Sequence, residues 1–189
     1  MQFASLSRLL SLPLLLFLLL SMAPQLHALA QDQNLERQVK AAYLYKFAGF
    51  VEWPEGSFAR PDSPVVIGVA GADQLAEQLE QTVAGHTANG RPLLVKRIKR
   101  GDSLAGIHML FIAAQDKTLA QEMLAASRGQ PVLTVTDGGD AAGLGSMINF
   151  VIADERLRFE VSLKHAAAAR LKISARMLSA AYRVQQATG

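Results

Sequence analysis

Three histidines, His86, His108 and His165, are the first residues downstream of the amino-terminal apolar segment whose side chains could do chemistry. Imidazole serves both as a metal ligand and as an acid or base near neutral pH. A metal site needs a second ligand at a set spacing, as in H-x-x-x-H or H-E-x-x-H, and none of the three has one. They read as separate packing or surface residues, one in a loop, one at a strand start and one on a helix. A serine nucleophile would announce itself by a G-x-S-x-G elbow. Gly143-Leu144-Gly145-Ser146 is not that motif, because the serine follows the second glycine. The chain has no cysteine, which excludes thiolate nucleophiles, zinc–thiolate sites and disulfides. No catalytic residue, metal site or cofactor can be named, and the chain reads as a non-enzyme.

Binding residues are better represented. The segment from Thr136 to Gly145 is rich in glycine and follows a strand, so it falls at the carboxyl end of a sheet, where open α/β folds hold ligands. Asp137, Gly138, Gly143 and Gly145 would be its ligand-facing residues. It lacks the G-x-G-x-x-G pattern, and Asp137 and Asp140 would repel a phosphate, so a plain connecting loop is the stronger reading. Phe47, Phe50, Trp53 and Phe58 crowd four aromatics into residues 47–58. Helical spacing puts Phe47 and Phe50 in a core. Trp53 and Phe58 could be core or an exposed anchor for a partner.

Charge is uneven along the chain. Residues 31–90 carry eight Asp/Glu against four Lys/Arg, and residues 91–189 carry fourteen Lys/Arg against eight Asp/Glu. The excess gathers at Lys96-Arg97, at Lys99-Arg100, and at Arg170, Lys172, Arg176 and Arg183 near the carboxyl end. Nucleic acid is not a partner on this reading, because no stacking aromatics interleave with these cations. A solvated face is the plain explanation, and an acidic partner or an anionic membrane surface the functional one.

These residues need elements to position them. Leu35, Val39, Tyr43, Phe47 and Phe50 recur at helical spacing, which predicts a helix over 34–52, capped by Asn34 and stopped by Trp53-Pro54. Apolar runs at 65–70, 93–98, 108–113 and 132–135 predict strands. Helical patterns between them, one capped by Asp73 and one spanning 116–127, make the sheet mostly parallel with crossover helices. Met147 to Ile152 and Arg156 to Val161 are too close in sequence to pair other than antiparallel. If Asp154-Glu155 is their two-residue turn, Ile148, Phe150 and Ile152 face Val161, Phe159 and Leu157 on the core side, and Asn149 lies across from Glu160. Helices follow over 163–171, capped by Ser162, and 175–185, capped by Ser174. The fold class is a single-domain α/β sandwich, mostly parallel with a C-terminal antiparallel hairpin and helices on both faces.

The first thirty residues read as a secretory signal peptide: Arg8, an apolar run from Leu9 to Leu20, and Ala28-Leu29-Ala30 as an A-x-A cleavage pattern. The apolar run is shorter than the roughly 20 residues of a spanning helix and contains Pro13. The domains are therefore a leader over 1–30 and one α/β domain over 31–189, placed in the periplasm.

A resemblance to a family lies in the same residues. Lys40-Ala41-Ala42-Tyr43-Leu44-Tyr45-Lys46-Phe47 with Phe50-Val51-Glu52-Trp53-Pro54 resembles the opening signature of the YfiR family (DUF4154). Asn89-Gly90-Arg91-Pro92, Leu104 to His108, Pro131 to Asp137, Gly145 to Val151, Arg158 to Val161 and Leu171 to Ser174 follow in the family's order, from about residue 38 to 184. The resemblance implies an α/β periplasmic protein, often a homodimer, that represses an inner-membrane diguanylate cyclase through its periplasmic portion, lowering cyclic di-GMP and biofilm formation. It implies no catalytic residues. The chain departs from it at Lys46, where many relatives have asparagine, and at Gly49, where they have a basic residue. Ile107 stands where some members carry a cysteine, so redox control by a disulfide is excluded. A periplasmic small-ligand sensor acting on another membrane partner is the alternative. Export with cleavage after Ala30 predicts that the intact mass of the periplasmic form corresponds to a chain starting at Gln31. A form retaining Met1 and pelleting with membranes would contradict it.

Overall fold

The apolar runs at 65–70 and 109–113 show no polar alternation, and they become the inner strands of a sheet covered on both faces. The computed structural model describes the backbone of residues 11–138 and 144–186, and the side chains of those ranges from residue 31 onward. In chain order the elements are α1 (Ser11–Phe50), β1 (Val51–Glu52), β2 (Val65–Ala70), α2 (Asp73–Val83), β3 (Thr87–Ala88), β4 (Arg91–Ile98) and β5 (Met109–Ala113). Then come α3 (Lys117–Ser127), β6 (Leu133–Asp137), β7 (Ile148–Ala153), β8 (Arg156–Ser162), α4 (Leu163–Ala168), β9 (Lys172–Ile173), α5 (Ala175–Ala180) and β10 (Arg183–Gln185). The chain divides into two compact units, Met1–Glu36 and Arg37–Gly189. The second is the α/β domain. Among the residues described with side chains, no helix is long and apolar enough to cross a membrane.

The sheet runs β10-β8-β7-β6-β5-β2-β4-β3, with β1 and β9 forming a separate antiparallel pair. Strands β6, β5, β2 and β4 are parallel neighbours, and the β7–β8 and β3–β4 pairs are antiparallel. The domain is thus the mostly parallel α/β fold with a C-terminal hairpin that the sequence predicts. One face packs Ala41, Leu44 and Phe47 of α1 and Leu75 and Leu79 of α2 against Ile67, Phe111, Phe150 and Phe159. The other packs Ala120, Met123 and Leu124 of α3 against Ile98, Leu110 and Ile112. Gly68 lies where this second face is tightest, since a Cβ there would sit 2.9 Å from Ile98 Cγ1 and 3.0 Å from Leu110 Cδ1.

The β7–β8 register is the predicted one, with Ala153 opposite Arg156 and Phe150 opposite Phe159. Asp154 and Glu155 both take the positive φ, 51° and 56°, of a type I′ turn. One detail differs from expectation. Ile152 is 65% exposed, at the tip of the hairpin beside the Asp154-Glu155 turn. Asn149 and Glu160, across from each other on the opposite face, are also buried: Thr136 and the chain near Gly138 close over Asn149, and Arg183 of β10 pairs with Glu160.

Several element boundaries are corrected. The first helix is continuous from Ser11, so Asn34 is an interior residue and not its cap, and residues 51–52 are strand. Asp73 lies inside the first turn of α2, behind Ala72 at the cap position. Ser162 makes no side-chain cap, being the last residue of β8. Ser174 does cap its helix, accepting from the Met177 amide. The helix predicted over 163–171 stops at Ala168, because Arg170 adopts φ 59° while Leu171 N–H donates to Ala166 O at 2.9 Å and Arg170 N–H to Ala167 O at 2.9 Å. That is a Schellman ending with arginine where glycine is usual. The helix predicted over 175–185 ends at Ala180, and residues 183–185 form β10 parallel to β8.

Phe159 is 2% exposed, with ring centroids 5.0 Å from Phe47 and 5.4 Å from Tyr43. Phe159→Ala is expected to cost about 3–5 kcal/mol in urea unfolding, as a large-to-small core change. A cost below about 1 kcal/mol would mean the hairpin does not anchor the core.

Candidate functional site

Proline 54 and the end of α1 force the chain out of the helix, and residues 53–63 cross the amino ends of the parallel strands as an arm. The indole of Trp53 is half-buried and its Nε1–H donates to His108 O at 3.0 Å. Phe58 stacks on the His108 ring with centroids 4.3 Å apart and planes 9° from parallel. The Arg91 guanidinium stands 3.9 Å from the Phe58 centroid, a cation–π contact, and donates to the carbonyls of Arg60 and Ser63, both at 3.0 Å. Arg91 leads into β4 from a tight turn in which Asn89 and Gly90 have φ 51° and 77°. The Asn-Gly pair is the favoured chemistry for that turn.

His108 sits under this arm, 6% exposed, just before β5. Its ring nitrogens have fixed roles. Val66 N–H can only donate, and it donates to Nδ1 at 3.1 Å; Ser57 O can only accept, and it lies 3.0 Å from Nε2. The ring is therefore the neutral Nε2–H tautomer. Burial lowers its pKa from the usual 6.5, nearby Arg91 lowers it further, and the Ser57 hydrogen bond opposes both. The sequence marks His108 only as a packing or surface residue. Its partners Val66 and Ser57 are 42 and 51 residues away, so no local pattern could reveal them.

A groove of about 480 Å³ runs beside the arm, lined by Glu52, Trp53, Glu55, Phe58, Asn89 and Arg91 among others. Trp53 and Phe58 thus form one wall of an open groove, resting on the core without being inside it. The neighbouring β1–β9 pair sets Glu52 opposite Lys172, and Ser174 N–H donates to Phe50 O at 2.9 Å. The aromatic arm and the basic carboxyl-terminal segment are consequently brought together. Arg170, Lys172 and Arg176 are exposed. Arg183 is on β10 and bonds the buried Glu160 at 3.2 Å, which ties it to the sheet edge.

The carboxyl end of the sheet is organised differently. Asp137 Oδ2 accepts from Lys40 Nζ at 2.6 Å and Oδ1 accepts from the Ala114 amide at 3.1 Å. Gly138 fits because a Cβ would meet Ala114 Cβ at 3.0 Å, and its carbonyl accepts from Asn149 Nδ2. The start of the glycine-rich loop is thus bonded to the fold. Gly143 lies outside the described residues. Gly145 lines a separate cavity of about 280 Å³ with Thr134, Met147 and His165. His86 packs its ring 5.4 Å from that of Tyr45. Among the described residues, no group of three His, Asp or Glu is placed to hold a metal ion.

The fold and the arm define a parallel α/β domain with an aromatic and basic surface at the amino edge of its sheet. The family model described as YfiR/HmsC-like (DUF4154) matches residues 37–182, nearly the whole α/β unit. The chain belongs to this family, which is associated with regulating diguanylate cyclase signalling, is typically periplasmic and is generally linked to a membrane-bound cyclase partner. No curated protein matches the chain.

The ion pair of Lys40 and Asp137, whose side chains are 11% and 16% exposed, makes a direct prediction. Lys40→Met strands a carboxylate in a nearly dry site and should cost about 3 kcal/mol, the lower end for breaking a buried pair. Adding Asp137→Asn should recover part of it in a double-mutant cycle. Additive costs would mean the two side chains do not act as a pair.

Proposed function

We propose that the mature domain is a periplasmic regulator, without catalysis of its own, that represses an inner-membrane diguanylate cyclase by binding its periplasmic portion. The family match over residues 37–182 carries this reading. The leader-like sequence over 1–30 supports export, with cleavage after Ala30. A domain outside the cytoplasm can influence nucleotide chemistry inside it only through a membrane protein. Repression needs only a higher affinity for the partner's inactive state. A homodimer is the working form on this reading, and lower cyclic di-GMP with less biofilm is the outcome.

The contact surface we favour is the one built around the β1–β9 pair: Trp53 and Phe58 as aromatic anchors, with Arg170, Lys172 and Arg176 as a charged rim and Arg183 further along the edge. Buried aromatics ringed by polar groups are the usual composition of a binding patch. Arg170 supports this choice through its backbone. A non-glycine residue at φ 59° costs about 1 kcal/mol or more, and such costs gather at functional positions.

A second reading, a small-ligand sensor, is favoured by the open groove of about 480 Å³ beside the arm. A saturable rise in melting temperature with one metabolite would support it, because a ligand that binds only the native state stabilises it by RT ln(1 + [L]/Kd).

Deleting the gene is expected to raise cyclic di-GMP, and deleting the partner cyclase as well should abolish the rise. Arg170→Gly should stabilise the domain by about 1 kcal/mol, through relief of the left-handed backbone, yet weaken repression through loss of the cation. Unchanged nucleotide levels in the single deletion, with the protein expressed, would reject the regulatory role.

A further inference from the structure

We infer that His108 is an acid-released catch: its neutral ring holds the 53–63 arm closed over the amino edge of the sheet, and protonation lets the arm go. The inference rests on the two hydrogen bonds of the ring and on the stack above it, and is independent of which partner or ligand the domain serves.

In the closed state every polar atom of the imidazole is used. Nδ1 accepts from Val66 N–H, which belongs to the sheet, and Nε2–H donates to Ser57 O, which belongs to the arm. A proton added at Nδ1 would set two donors against each other across 3.1 Å. The ring would have to leave Val66, and Phe58, stacked on it at 4.3 Å, would lose its base.

The charged groups around the ring do not favour an imidazolium in place. Arg91 of β4 stands beyond Phe58, and its positive charge opposes a second cation there. Glu52 and Glu55 line the groove on the arm side. Arg60 and Asp62 pair with each other at 3.1 Å on the exposed part of the arm. From β2 and β6 the ring's residue meets backbone: His108 N–H donates to Val66 O, and its carbonyl accepts from Leu133 N–H.

The sign of the pH effect follows. Burial sets the closed-state pKa below 6.5, while a ring released into water returns to the usual value. The open state therefore binds more protons. Closure is at full strength above about pH 6.5 and weakens as pH falls from there to the closed-state pKa, with the open-to-closed ratio rising about tenfold per unit between the two.

Trp53 is the only tryptophan in the chain and is bonded to His108 O, so its fluorescence reports the arm without labelling. Between about pH 7.5 and 4.5, its emission should shift to the red and its acrylamide quenching should rise, reversibly, with a midpoint below 6.5 and unchanged far-UV circular dichroism. His108→Gln can offer one acceptor and one donor and cannot titrate, so its emission should be flat over that range. Nitrogen-15 titration of the wild-type His108 ring should share the midpoint of the Trp53 change, a test that stands even if His108→Gln fails to fold. A flat wild-type signal would overturn the inference. So would a transition at the same pH in His108→Gln, a His108 protonation that runs apart from the Trp53 change, or a Trp53 change that coincides with loss of secondary structure.

Discussion

A parallel sheet buried on both faces hides its strands from water, yet the strand ends still carry backbone donors and acceptors that must be satisfied. At the amino end of this sheet that requirement falls on His108. Its backbone bonds β2 through Val66 O and the start of β6 through Leu133 N–H, and its carbonyl also receives the Trp53 indole. Its ring bonds Val66 N–H and Ser57 O. One residue thus joins two strands, its own strand and the arm packed on it. Each net hydrogen bond contributes only about 1 kcal/mol, but an unmade bond at a buried group costs more than a made one contributes. The arrangement therefore holds as a unit and gives way as a unit.

The carboxyl end meets the same requirement with charge. Lys40 of α1 reaches Asp137 at the end of β6, and Asp137 also accepts from the Ala114 amide beyond β5. The two ends of one sheet are thus closed by an ion pair and by a titratable ring. On the proposed regulatory reading, the titratable end is also the one where Trp53, Phe58 and Lys172 come together, since β1 and β9 fasten the arm to the basic carboxyl-terminal segment.

The sequence carried most of the fold, and the reason is visible element by element. Strands β2 and β5 are apolar runs whose burial needs no partner to be guessed, and the β7–β8 register follows from alternation and one turn length. The failures have a common cause. Residues 172–173 are too few to show any period, and Arg183-Val184-Gln185, which reads as the tail of an alanine-rich helix, becomes a strand only because β8 offers an edge. Ser162 resembles a cap but is held in the ladder of β8. Arg170 ends α4 in a conformation that residue type alone would assign to glycine. At the candidate site, the aromatic and basic residues were recognisable by type, but the histidine beneath them was not. Its role exists only once Val66, Ser57, Phe58 and Arg91 converge on it from three separate stretches of chain.

The proton on one ring decides whether the arm is held, and nitrogen-15 NMR of the histidine side chains reads it directly. At neutral pH, His108 is expected to show an unprotonated Nδ1 and a protonated Nε2, with the Nε2 proton slow to exchange because Ser57 O holds it. On acidification this signature should persist below 6.5 before giving way to the imidazolium pattern. A His108 ring already charged at neutral pH, or carrying its proton on Nδ1, would contradict the account.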